Sequence, residues 1–124
     1  MPLTRRNNLL YVKATINNVP ALLILDTGAS AIHLTKSFAT RAGISLDRGR
    51  MTQVEGINGV GEAYVTSASS VSVGTQSTSD VLVLVDTDDG LIAGADGLLG
   101  QTFLSRFKVT VEREILKLDS LGKL

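Results

Sequence analysis

The chain has 124 residues, with 12 Lys plus Arg against 12 Asp plus Glu, no cysteine and one histidine. That length suits one domain of ordinary size and buries roughly two thirds of the unfolded surface, enough for a core without metal or disulfide staples. The missing cysteines exclude disulfides, zinc-thiolate sites and cysteine nucleophiles; the balanced charge leaves no basic field for nucleic acid; and His33 alone cannot build a histidine metal site.

Apolar residues make up 44% of the chain, with two Tyr, three Phe and no Trp, so Val, Ile, Leu and Ala must build the core. That composition favours strands. No apolar run approaches the roughly 20 residues of a membrane-spanning helix, and the opening MPLTRRNNLLY lacks the apolar stretch of a signal peptide. Two locations stay open: the cytoplasm, or the periplasm if this is a soluble domain excised from an anchored protein.

In chain order, Leu9 to Ile16 and Val19 to Asp26 read as strands, joined by Asn17-Asn18, a pair that tolerates the positive φ of a tight hairpin. Ala31 to Leu34 forms a short strand, after which Thr35 caps a helix running through Arg41 or Ala42 and stopped by Gly43. Met51 to Glu55 and Glu62 to Val73 are β-prone arms around Gly56-Ile57-Asn58-Gly59-Val60-Gly61, a long hairpin with a glycine-rich tip. Asp80 to Asp86, DVLVLVD, suits a strand buried on both faces. Leu98-Leu99-Gly100 follows a glycine-rich loop, and Gln101 to Phe107 suits one short helix. Phe107 to Val111 and Glu114 to Leu118 form a last hairpin that turns near Glu112-Arg113. About eight short strands and two short helices make an all-β barrel or sandwich pattern.

One stretch carries chemistry. LLILDTGAS, residues 22–30, is an apolar run that ends in a carboxylate and then in small residues. A carboxylate at the end of a buried strand is costly unless it is hydrogen-bonded or at work. Thr27 places a hydroxyl beside Asp26, Gly28 permits a sharp turn and close backbone approach, and Ala29-Ser30 keep the loop small. The plain alternative is an Asx turn, in which Asp26 bonds backbone two residues on.

LLILDTGAS, the glycine-tipped hairpin over 51–73 and ADGLLGQTFL at 95–104 follow one another in an order that resembles the retropepsin-like aspartic proteases, above all their single-domain bacterial members. The resemblance runs over about 90 residues, from the first hairpin to the last helix. It implies a closed, single-domain β-barrel over residues 1–124, with one or two short helices and a flap at about 51–73. By the same resemblance Asp26 is the catalytic aspartate, and Thr27, Gly28 and Ala29 form its supporting loop, Thr27 bonding across a dimer axis. The backbone of Gly28 meets substrate, and Ile24 and Leu98 line pockets beside the scissile bond. Ile57, Asn58 and Gly59 sit at the flap tip over the substrate. Gln101 departs from the pattern: viral members usually carry arginine there, and the salt bridge it gives the dimer is missing.

This chemistry needs two carboxylates on one water, one to accept its proton and one, protonated, to donate to the peptide carbonyl. Two ionised carboxylates about 3 Å apart repel by roughly 5 kcal/mol at an effective dielectric near 20. Each pKa unit is about 1.4 kcal/mol, so such a pair shares one proton over a wide acidic range, a behaviour known from aspartic proteases and borrowed from them here. The only near-echo of the motif is Val83-Leu84-Val85-Asp86-Thr87-Asp88, whose third position is Asp88 in place of glycine. Fewer than 40 residues follow it, too few for a second barrel. The second acid is therefore expected from an identical chain, with two Asp26 side chains meeting on a twofold axis.

Other patterns point to ordinary structure. A calcium loop begun at Asp86 needs an acid or amide at position 90 and Glu at 97, and both are glycine. GINGVG does not open a helix after a strand, so it is no phosphate loop. Ser30 has no histidine in a recognisable relation, and His33 reads as structural or solvent-facing. Asp96 is open to two roles, substrate contact at the cleft edge or a turn. The expected activity is an aspartic endopeptidase acting as a homodimer on extended peptides or proteins, without metal or organic cofactor. The alternative is a catalytically silent dimeric module that binds or scaffolds peptides on the same fold.

Overall fold

The computed structural model of the protein describes residues 1–46, 50–56, 59–87 and 93–121. Ten strands and two short helices lie within them: β1 (Thr4–Arg6), β2 (Leu9–Ile16), β3 (Val19–Leu25), β4 (Ile32–Leu34), α1 (Lys36–Arg41), β5 (Met51–Gly56), β6 (Gly59–Val73), β7 (Gln76–Asp86), β8 (Gly97–Leu99), α2 (Gln101–Leu104), β9 (Phe107–Glu112) and β10 (Ile115–Ser120). Among the described residues no helix is long and apolar enough to cross a membrane.

Eight strands form one sheet in the order β1-β2-β3-β8-β4-β7-β6-β5, and β2 also pairs with β6, so six of them close into a ring. The ring is sealed by two rungs, Thr15↔Ser72 and Ile16↔Val71. The remaining strands, β9 and β10, make a separate antiparallel pair, with Ile115 also bridging to Pro2. This ring-like, mostly β architecture is the fold expected of a retropepsin-type chain.

The ring forms because its strands alternate. In β2 Val12 and Ile16 point to the interior, and in β3 Leu23 does the same, while Lys13 stays outside. These join Ile32, Leu34, Phe38, Val71, Val83, Val85, Leu99 and Phe103 in one core of fully buried side chains. Each such Leu, Ile or Phe contributes about 1.5–3 kcal/mol by leaving water.

Local chemistry sets the connections. Asn17 and Asn18 take φ of 52° and 66°, the left-handed values that a two-residue hairpin needs. The Thr35 hydroxyl accepts from Phe38 N at 3.1 Å, capping α1, and Gly43 ends that segment at φ 68°. Asn7 and Asn8, at 50° and 66°, make a second Asn-Asn hairpin between β1 and β2, a strand pair absent from the sequence reading.

Three expectations need correction. The helix expected over Gln101 to Phe107 spans only Gln101–Leu104, because Phe107 opens β9 with its ring 4.9 Å from that of Phe103. DVLVLVD is not buried on both faces throughout: Leu82 is 42% exposed, while Val81, Val83 and Val85 lie in the core. Its strand also starts earlier, at Gln76, since the whole of Gln76–Asp86 except one broken rung pairs with β6. The break is at Asp80, which has a φ of 53°.

The flap expectation corresponds to the β5–β6 hairpin. Its ladder runs from Met51↔Tyr64 to Gly56↔Gly59, so the glycines of the tip belong to the strands themselves. Ile57 and Asn58, the expected tip residues, lie outside the described residues. At the base of the hairpin the Thr87 amide and hydroxyl both donate to the Glu62 carbonyl, at 3.3 and 3.2 Å.

Candidate active site

Asp26 stands one residue beyond the end of β3. Its amide donates to the Leu99 carbonyl at 3.1 Å, which carries the parallel β3–β8 ladder one step past the strand. Alternation then puts its side chain on the same side of the sheet as Ile24, away from the main core. The carboxylate accepts from Gly28 N at 3.0 Å, and Ala29 N donates to the Asp26 carbonyl at 3.2 Å. The Asx turn weighed against catalysis is thus present, and it is also the device that fixes one carboxylate oxygen, the other having no hydrogen-bond partner among the described residues. The two readings are compatible.

Thr27 and Gly28 form the exposed tip of this turn. A Cβ built on Gly28 would meet only Asp26 Oδ1, at 3.4 Å. Packing inside the chain therefore places little demand on glycine at this position.

The opposite holds behind the loop. Leu99, Gly100, Gln101 and Thr102 grip residues 26–32 from one side. Leu99 accepts from Asp26, Gln101 N donates to the Ala29 carbonyl at 2.9 Å, and Ile32 N donates to the Thr102 hydroxyl at 3.0 Å. The Gln101 side chain adds a fourth bond, Nε2 to the Thr27 carbonyl at 2.8 Å. Gly100 is required: a Cβ there would overlap the Ala31 carbonyl and stand 2.8 Å from that of Ala29. Gly97 is required in the same way by the His33 carbonyl, where β8 threads between β3 and β4.

The two expected pocket residues are brought together. Ile24 and Leu98 are register partners, and they pack with Tyr11 and Ala95 in a small cluster separate from the main core. Register continues this row from Leu98 to His33 and from His33 to Leu84. The row is apolar except at His33, whose Nδ1 lies 3.9 Å from Asp86 Oδ1.

Asp86, the near-echo, ends β7 opposite Ala63 of β6, and Asp88 stands where the first motif has glycine. Residues 88–92, including Asp88, lie outside the described residues. Asp96 proves structural. Its Oδ2 accepts from Leu22 N at 2.9 Å and its Oδ1 from Arg41 at 3.2 Å, while its own amide donates to the Leu22 carbonyl, so the side chain adds a rung to the β3–β8 ladder. Among the described residues no three His, Asp or Glu side chains gather as a metal site requires.

Gln101 and Thr102 were not singled out as supports of the loop. The signal available was position alone, two polar residues directly after the Leu98-Leu99-Gly100 run.

A family model described as "gag-polyprotein putative aspartyl protease" matches residues 12–106, from within β2 through the Asp26 loop and the β5–β6 hairpin to just past α2. The chain belongs to the retropepsin-like aspartic protease family. A retropepsin-like aspartic protease from Rickettsia conorii has a similar structure, with a TM-score of 0.70 and 30% identity over 94% of this chain and 85% of that one. The EIAV protease, solved in complex with the inhibitor HBY-793, shares the fold at a TM-score of 0.62 and 21% identity, covering 82% of this chain and 90% of its own. Among curated proteins, the uncharacterized protein RP867 of Rickettsia prowazekii (strain Madrid E) is 32% identical over 111 residues. That match takes in 88% of this chain and 46% of RP867, so the chain spans about half the length of that relative. In this retropepsin-like chain, family and fold agree with the order of the three motifs.

Proposed function

We propose that the protein is an aspartic endopeptidase whose active site forms between two copies of the chain, each a single domain that supplies one Asp26. The observation that carries this reading is the Asp26 turn: a carboxylate held through one oxygen by Gly28 N, on an exposed tip, with rigid backing from Leu99 to Thr102. Exposure of Thr27 and Gly28 supports a partner at this tip, because a glycine that the chain's own packing does not demand is explained by a surface that approaches from outside. Thr27 is then the residue that bonds across the twofold axis. Ala29, tied to Gln101, holds the far end of the loop.

One Asp26 carboxylate, ionised, takes a proton from the attacking water, and the other, protonated, hydrogen-bonds the scissile carbonyl as its oxygen becomes anionic. The tetrahedral species collapses as the leaving amine takes up a proton from the pair. Substrate lies extended, adding as a strand between the Gly28 backbone and the flap, where Ile57, Asn58 and Gly59 are the proposed contacts. Ile24 and Leu98 form the floor that favours apolar side chains. The chemistry as proposed uses no metal or organic cofactor.

The test is Asp26→Asn. Cleavage of an apolar peptide library at mildly acidic pH should fall by at least about 10⁴-fold, the scale on which losing a catalytic group acts, with the melting temperature within a few degrees of wild type. Retained cleavage would overturn the assignment. Mixing the variant with wild type should depress activity more than dilution alone, because mixed dimers hold one working acid. Strictly additive activity would exclude the shared site and leave a monomeric enzyme. A fold that binds the library without any turnover would favour the peptide-binding module.

A further inference from the structure

We infer that Gln101 is a positioning residue that acts on the Asp26 carboxylate through a single peptide group. The inference rests on the proposed catalytic role of Asp26. The Thr27 carbonyl and the Gly28 amide belong to the same planar unit, and both of its polar ends are engaged. Gln101 Nε2 donates to the Thr27 oxygen at 2.8 Å, and Gly28 N donates to Asp26 Oδ1 at 3.0 Å. A rigid plane held at one end has its other end aimed. A donor on the carbonyl also polarises the unit, so its N–H becomes a stronger donor to the carboxylate.

This bond is unlike the other three in the grip. Those from Leu99, from the Gln101 amide and from Thr102 act at residues 26, 29 and 32. The Gln101 side chain alone among them reaches the exposed tip. Gln101 is itself anchored by its own amide to Ala29 and begins α2, whose Phe103 and Leu104 are buried in the core, so its side chain projects from a fixed base. At a position where viral members usually carry arginine, a neutral amide supplies a donor to the loop without adding a charge beside the proposed acid pair.

Two near-isosteric variants separate positioning from bulk structure. Gln101→Met removes the donor at almost constant volume. Gln101→Glu keeps the shape but can donate to the Thr27 carbonyl only when protonated. For Gln101→Met, kcat should drop about tenfold, the worth of one hydrogen bond lost wholly in the transition state, with KM within about twofold. For Gln101→Glu, activity relative to wild type should approach unity at low pH and decline as pH rises through the ordinary carboxylate range near 4.3; the Met ratio should stay flat.

In both variants the Gly28 amide proton should move upfield in NMR spectra relative to wild type, for Gln101→Glu at a pH where the new carboxyl is ionised. An unmoved Gly28 resonance, or unchanged kcat in both variants, would overturn the inference. An inactive wild type would overturn the proposed function instead, and the NMR comparison would still decide whether Gln101 reaches Asp26.

Discussion

Two strands of this molecule run out into Asp-Thr, each beside a parallel neighbour, and among the described residues the two acids are held differently. After β3, Asp26-Thr27 runs into Gly28 and is backed by residues 99–102, which engage the loop with four hydrogen bonds. After β7, Asp86 lies 3.9 Å from His33, and the exposed Thr87 ties the strand end to β6 through the Glu62 carbonyl. The first acid is braced from behind and open in front, while the second is absorbed in holding neighbouring strands together. What sets Asp26 apart is thus less its dipeptide than the glycine that follows it and the segment that backs it.

This contrast can be broken at its strongest point first. Gly100→Ala pushes a methyl group into the Ala31 carbonyl, with Ala29 close by, and neither can retreat without displacing the loop. Destabilisation by at least about 3 kcal/mol is expected, the upper range for overpacking against fixed atoms, and chemical denaturation would measure it. A change below 1 kcal/mol would mean that the grip is slack.

Gly28→Ala should divide stability from function. The new methyl meets only Asp26 Oδ1 at the edge of ordinary contact, so the fold of the single chain should lose less than about 1 kcal/mol. Under the proposed function cleavage and self-association should nevertheless both fall, because that proposal puts partner and substrate at the outward face of the turn. Sedimentation together with a cleavage assay would read both effects, and an active, dimeric variant would contradict the arrangement.

The smallest effect belongs to the second acid. Asp86→Asn removes the charge from a partly exposed pair at 3.9 Å, a contact worth about 0–1 kcal/mol. Activity should stay within about threefold of wild type. A loss comparable to that of Asp26→Asn would make Asp86 part of the machinery and erase the contrast.

Much of this was legible in the sequence, for identifiable reasons. β2, β3 and their turn follow from alternation and Asn17-Asn18, and α1 follows from Thr35 and Gly43. β1 escaped although Asn7-Asn8 is the same turn signal, because Thr4, Arg5 and Arg6 are all exposed and show no apolar alternation. The first half of β7 escaped because Gln76 to Ser79 are polar and become a strand through their pairing with β6. Of the candidate site, the Asp26 motif and the adjacency of Ile24 and Leu98 could be read from the chain and its resemblance. The double duty of Asp96 and the reach of Gln101 could not, since both depend on which polar side chain faces which backbone group across 74 residues.

The two-rung seam between β2 and β6 has its own consequence. Asn17 rivets it from the turn: its amide donates to the Ser70 carbonyl, its side-chain oxygen accepts from Ser69 N and Ser70 N, and its side-chain nitrogen donates to Ala42. β6 is thus tied near one end to a single asparagine and carries the β5–β6 hairpin at the other. Between these two points β6 is laddered to β7 from Ala63 to Val73, so the β5–β6 hairpin projects from a strand that is held along its length and locked to the ring at its far end by one turn residue.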